Sequence, residues 1–164
     1  MKQKIYVKLF DGAEPLEIKE KGDWIDLRTR VDVDTNHPIA KTLTRSKVEG
    51  VKNSRNVEFE YHMIPLGVAM KLPDGYEANF VPRSSTFKRY KVLQTNAYSV
   101  IDPTYCGPDD EWGYPVYATF PVVIPKGTRL CQFRINKVQP HIIFDEVASL
   151  AAENRGGFGT SNTD

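Results

Sequence analysis

Apolar residues fall in short alternating or continuous runs along the chain: Ile5–Phe10, Met63–Met70, Tyr76–Val81, Val92–Thr95, Val116–Val123, Arg129–Ile135 and His141–Phe144. Runs of this length predict strands rather than helices. The punctuation agrees, because Pro73-Asp74-Gly75, Cys106-Gly107-Pro108-Asp109-Asp110 and Pro125-Lys126-Gly127-Thr128 are turn-prone clusters that separate them. Helix signals are few. Ser84 to Tyr90 predicts a short helix with a serine cap, and Glu146–Asn154 has the Ala, Leu and Glu content of a turn or two before a glycine stop. The pattern as a whole predicts an all-β sandwich or jelly roll.

Two stretches break the rhythm. Asp34–Asn56, polar and rich in Lys, Arg, Thr and Asn, reads as a long surface excursion or an insertion hairpin. From Asn154 to Asp164 glycines surround one aromatic, which predicts a flexible arm after a single domain over 1–153. At 164 residues with 40% apolar and 11% aromatic content, the chain can fill one core. Lys plus Arg number 22 and Asp plus Glu 21, so no global field favours a nucleic-acid backbone or an anionic membrane. No run approaches the ~18 apolar residues of a membrane span, and the charged first residues do not read as a signal peptide, so a cytoplasmic protein is expected. Cys106 and Cys131 stand apart from any Cys-x-x-Cys pair, and His37, His62 and His141 have no metal-ligand spacing, so structural zinc is not expected and free thiols are preferred over a bridge.

Four segments carry candidate chemistry. Val81-Pro82-Arg83-Ser84-Ser85-Thr86 puts a cation and two hydroxyls at a strand end that opens a helix, which suits a phosphate as well as a plain capped turn. In Asn96 through Gly107, Asp102 follows the apolar pair Val100-Ile101, so its carboxylate is expected at the core's edge, partly desolvated, or else capping the backbone of Thr104 or Tyr105. In Lys126 through Ile135, strand alternation places Leu130, Gln132 and Arg134 on one face. In the arm, the glycines beside Arg155 leave N–H groups free to wrap an anion, and Phe158 can close over a flat ring.

Taken in order, these segments resemble the homotrimeric all-β dUTP pyrophosphatases, in the form found in Gram-positive prophages and phages. The resemblance rests on Gly22-Asp23-Trp24-Ile25-Asp26-Leu27-Arg28, Pro82-Arg83-Ser84-Ser85, Asn96 through Gly107, Gly127-Thr128-Arg129-Leu130-Cys131-Gln132, and Arg155-Gly156-Gly157-Phe158-Gly159-Thr160-Ser161. It implies a jelly-roll-like β-barrel or sandwich with one short helix, and hydrolysis of dUTP to dUMP and pyrophosphate. That activity keeps uracil out of DNA.

The resemblance further implies that Asp102 activates water for attack on the α-phosphorus and that Gln132 orients water. Arg83, Ser84 and Ser85 would bind the triphosphate. Asn96, with the backbone of Ser99, Val100 and Ile101, would read uracil, and Tyr105 would pack on the deoxyribose. Arg155, Phe158, Thr160 and Ser161 would close over the substrate from a neighbouring chain. Mg2+ would be held by the triphosphate and waters, with Asp26 and Gln132 in its outer surroundings rather than as direct ligands. Ser99 stands where most members carry Gly, and Trp112 is expected at a subunit interface or as a second stacking lid.

The alternative within the same family is a nucleotide-gated binding partner of a repressor protein, served by the 34–56 excursion. A dCTP deaminase is disfavoured because the hairpin offers no glutamate between Asn96 and Tyr105, and a purely structural jelly roll is disfavoured by the two phosphate-type loops.

Overall fold

Most of the predicted strands form, and they pair antiparallel, in the computed structural model, which describes residues 2–35, 43–46 and 59–154. In chain order they are β1 (Tyr6–Leu9), β2 (Ile25–Arg28), β3 (Val33–Asp34), β4 (Leu43–Ser46), β5 (Phe59–Pro65), β6 (Val68–Lys71) and β7 (Tyr76–Pro82), then β8 (Val92–Gln94), β9 (Ser99–Ile101), β10 (Gly113–Ala118), β11 (Val123–Ile124) and β12 (Arg129–Lys137). One short helix, α1 (Thr86–Tyr90), joins β7 to β8. Two four-stranded sheets, ordered β2-β12-β7-β9 and β4-β5-β10-β8, are joined by the pairs β1-β6 and β11-β3. The core draws on all four: Leu27, Phe80 and Phe133 from the first, Ile64, Tyr114 and Val116 from the second, Val68 and Met70, and Val33 and Ile124. This is the expected all-β, jelly-roll-like arrangement.

Several expectations need correction. Met63–Met70 is two strands, because Gly67 turns the chain at φ +72 between β5 and β6. Val116–Val123 likewise divides into the end of β10 and the start of β11. His141–Phe144 forms no strand and Glu146–Asn154 no helix; every residue of 140–154 is exposed, so neither segment finds a face to pack on among the described residues. Trp112 is neither a lid nor an interface anchor. It is fully buried, edge-on to Phe133 at 5.3 Å and stacked beside Phe80 at 6.4 Å, and its backbone bonds Val68 and Leu66. Both cysteines are free, Cys106 exposed and Cys131 buried, where burial pushes the thiol pKa up and keeps it inert.

Within the 34–56 excursion, β4 pairs with β5, in keeping with a hairpin; residues 36–42 and 47–58 lie outside the described residues. So do Arg155, Phe158, Thr160 and Ser161 of the arm. Among the described residues no helix is long and apolar enough to cross a membrane.

Candidate functional site

Three strands of one sheet bring a cationic cluster together. β7 ends at Pro82, and Arg83, the next residue, turns its guanidinium onto β2, where Nε forms an ion pair with Asp26 Oδ1 at 2.9 Å. Arg129, at the start of β12, approaches Asp26 Oδ2 at 3.3 Å, and Lys19 donates to the same oxygen. Asp26 is only 8% exposed. Burial pushes its pKa up, but the Lys19 hydrogen bond and the charges of Arg83, Lys19 and Arg129 outweigh it and hold the carboxyl below its ordinary value.

Beside this cluster lies an open cleft of about 200 Å³ lined by Arg28, Arg83, Arg89, Arg129, Ser85 and Thr128. Asp26 answers Arg83 and Arg129, and Glu14 answers Arg28 at 3.3 Å. Arg89 has no carboxylate partner among the described residues, so the cleft keeps a surplus of positive charge that favours an anion. Ser85 occupies the cap position of α1 but makes no side-chain capping bond, which leaves its hydroxyl for other use. Ser84 is exposed beside it. The sequence reading gave a binding role to Arg83, Ser84 and Ser85 but none to Arg28 and Thr128, which it held only within motifs, nor to Arg89 or Lys19. Scattered single cations carry no spacing signal until the sheet gathers them.

Gln132 lies between Asp26 on β2 and Val81 on β7 in the strand register, so it shares the face of this cluster. The expected alternation is broken here. A bulge between Arg129 and Cys131 inserts one residue, and Leu130 packs into the core with Cys131 and Phe133 instead of facing outward with Gln132 and Arg134. Arg134, further along that outer face, sits over the Trp24 ring at 5.7 Å.

The hairpin from Asn96 to Ile101 crosses from one sheet to the other. Its tight point is Ala97, at φ 52, where the Tyr98 N–H turns back to the Asn96 carbonyl. The left-handed angle therefore falls on Ala97 and not on Ser99, which is strand residue opposite Phe80. Ser99 is 2% exposed and bonded to both Asn96 and Gln94, whereas Val100 is exposed on the outside.

Asp102 follows directly. Its expected partial burial is not found within one chain, where it is exposed. Its Oδ1 accepts the Thr104 N–H at 2.8 Å and the Thr104 hydroxyl at 2.5 Å, so the capping geometry is present. Those bonds, the hydroxyl first, hold its pKa below the ordinary value, and Oδ2 has no hydrogen-bond partner among the described residues. Tyr105 lies half-exposed nearby with its hydroxyl donating to the Glu111 carbonyl at 3.2 Å.

The structure does not bring Asp102 to the arginine cleft of its own chain. β9 runs antiparallel to β7 with Ile101 opposite Ala78, so Asp102 lies near Glu77 while Arg83 lies beyond the other end of β7. The stretch from Glu77 to Arg83 is about 20 Å of extended chain at roughly 3.3 Å per residue. One phosphoryl group cannot touch both.

Residues 51–163 match the family model described as dUTPase. Over 160 residues the chain is 42% identical to an SPbeta prophage-derived deoxyuridine 5'-triphosphate nucleotidohydrolase of Bacillus subtilis (strain 168), covering 97% of this chain and 98% of that one. Among solved structures it is similar to a Staphylococcus bacteriophage 80alpha dUTPase with dUPNHPP, at a TM-score of 0.65 and 18% identity over 98% of this chain and 99% of that one. It is also similar to a dUTPase from Streptococcus mutans, at a TM-score of 0.59 and 16% identity over 85% of this chain and 98% of that one.

Proposed function

The chain belongs to the dUTPase family and hydrolyses dUTP to dUMP and pyrophosphate; from that premise we propose that Asp102 is the base that activates the attacking water, and that each site is completed by neighbouring copies of the chain. The observation that carries the shared site is the separation just described, with the carboxylate near one end of β7 and the arginine cleft at the other. A second copy whose cleft faces the first copy's hairpin brings the two halves to one substrate. A homotrimer is the closed arrangement proposed, with the arm residues Arg155, Phe158, Thr160 and Ser161 supplied by a third copy.

In that assembly Asn96 and the hairpin backbone read uracil, and Tyr105 packs on the sugar. Arg83, Ser84 and Ser85 bind the triphosphate with Arg89 and Arg129 beside them. As water attacks the α-phosphorus, Asp102 Oδ2 takes its proton, and the guanidiniums stabilise the charge gathering on the departing pyrophosphate. A carboxyl held below its ordinary value is a weak base in open water. Cover from the neighbouring copy and the substrate removes that water and raises its basicity, which supplies the desolvation that the single chain lacks.

Magnesium fits as a companion of the triphosphate. The described residues hold no group of three His, Cys, Asp or Glu side chains that could ligate an ion, and phosphate oxygens and waters are the hard donors it prefers. Both Asp26 oxygens are engaged by Lys19, Arg83 and Arg129, so of the two outer neighbours expected from sequence, Gln132 is the better placed to face the ion's waters. Bound there, magnesium supplies neutralisation of phosphate charge. A cytoplasmic location goes with a nucleotide substrate of this kind.

The test mixes two inactive chains, Asp102→Asn and Arg83→Ala, under conditions that exchange subunits. Shared sites restore activity in hybrids, because some sites then combine an intact Asp102 with an intact Arg83. Activity that stays at parental levels with exchange confirmed by mass rejects the shared site.

A further inference from the structure

Gln94, the last residue of β8, reaches three oxygens with one amide nitrogen. Its Nε2 lies 3.3 Å from the Phe80 main-chain carbonyl, 3.0 Å from Asn96 Oδ1 and 3.1 Å from Ser99 Oγ. Ser99 in turn donates its hydroxyl to the same Asn96 Oδ1 at 2.9 Å. A primary amide can exchange its oxygen and nitrogen by a half-turn with almost no change of shape, so its partners decide which way it faces.

One partner in this set cannot change character. The Phe80 carbonyl only accepts, so the Gln94 atom facing it is the NH2. An NH2 only donates, so the Asn96 atom facing Gln94 is the carbonyl oxygen, and the Ser99 hydroxyl fills that oxygen's second lone pair. The Asn96 NH2 is thereby turned outward, on an exposed residue at the hairpin. Gln94 Oε1 is buried without a partner, a cost that a half-turn would remove only by pressing that oxygen against the Phe80 carbonyl.

We infer that Gln94 and Ser99 are positioning residues that determine base specificity, locking Asn96 so that it presents a donor to the 4-position of the pyrimidine. This rests on the reading of Asn96 as the base-reading side chain. A locked donor pairs with the O4 of uracil and meets the 4-amino group of cytosine donor to donor. An amide free to turn would present its oxygen to cytosine instead and lose the distinction. The lock also gives the Ser99 side chain a function at a position where a glycine would leave the Asn96 oxygen with one bond fewer.

The experiment is a double-mutant cycle on kcat/KM for dUTP and dCTP, using the full chain with magnesium. Gln94→Ala is expected to lower the dUTP-to-dCTP ratio roughly tenfold and Ser99→Ala a few-fold, the scale of a lost hydrogen bond. Neither lowers it further in an Asn96→Ala background, because both act through that amide. The lock is overturned if Gln94→Ala leaves the ratio unchanged while Asn96→Ala reduces it, or if Gln94→Ala reduces it equally with and without Asn96. An unchanged ratio in Asn96→Ala itself removes the underlying base-reading role, a separate failure that takes the proposal with it. Ser99→Ala, which removes one hydroxyl, carries the same cycle if Gln94→Ala does not fold.

Discussion

Arg83 Nε pairs with the Asp26 carboxylate at 2.9 Å from Oδ1, tying the residue after β7 to the middle of β2 across the intervening β12. The carboxylate holds two of the guanidiniums that line the cleft and neutralises part of their mutual repulsion. Asp26→Asn keeps the shape and removes the charge. It is expected to destabilise the chain by about 2 kcal/mol at neutral pH, less than a fully buried pair because the cations are partly exposed, and to raise KM for dUTP more than it lowers kcat. The pH dependence has a fixed sign. The folded pKa lies below the ordinary 3.8, so the stabilisation is complete above that value and disappears as pH falls through the lower, folded pKa. Urea unfolding from neutral to acid pH checks both parts: the variant loses stability at neutral pH and has a shallower acid limb.

Asp102 is held by Thr104 alone among the described residues, through one carboxylate oxygen. Asp102→Asn is expected to lower kcat at least ~100-fold, the loss of the proposed general base, with a melting temperature close to the parent because the side chain is exposed. Thr104→Val removes the hydroxyl bond but not the N–H bond. The Asp102 carboxyl then moves up toward its ordinary value of 3.8, since hydrogen bonds to the ionised form hold it down. A pH–rate profile that shifts its acid limb upward in Thr104→Val, with kcat reduced by looser aim, is the expected readout.

Gly67 makes a prediction of another kind. At φ +72, a Cβ added there would stand 2.5 Å from Ala13 Cβ and 3.0 Å from Arg30 Cβ. Gly67→Ala combines a left-handed alanine, about 1–2 kcal/mol, with an overpacked contact of similar size. A loss of about 3 kcal/mol in denaturant unfolding is expected. A change below ~1 kcal/mol would mean that the turn between β5 and β6 yields.

How much of this was legible in the chain follows from what each residue answers to. β1, β7, β8 and β12 were readable because an apolar run between turn residues is a local signal. β2 was too short for its pattern to register, and Gly67 was hidden inside a run that looked continuous. The residues proposed to bind phosphate and base stand out through the order of their motifs. Their companions do not. Gln94 acquires its role from a carbonyl at Phe80 and an amide at Asn96, and Arg28 and Arg89 meet only because β2 and α1 converge on one cleft. Such partnerships belong to the register, and Leu130 shows how one bulged residue defeats an alternation that was otherwise sound.

The apolar pattern of His141–Phe144 predicts a strand, yet its side chains stand in the open: Ile143 is 84% and Phe144 91% exposed, with Val147 and Leu150 beyond them. Burying an isoleucine or phenylalanine fully is worth roughly 1.5–3 kcal/mol, so leaving this row in water is a strong drive toward another surface. The described residues leave it uncovered, and the proposed shared site calls for neighbouring copies. The segment is therefore expected to pack on a neighbour. The double substitution Ile143→Glu with Phe144→Asp is expected to shift the protein toward monomer in sedimentation equilibrium while leaving the β-sheet circular dichroism spectrum unchanged. On the proposed shared site, activity should fall with the mass, because separating the copies would part Asp102 from the arginine cleft. An undiminished assembly with full turnover would show that the row is not part of the contact.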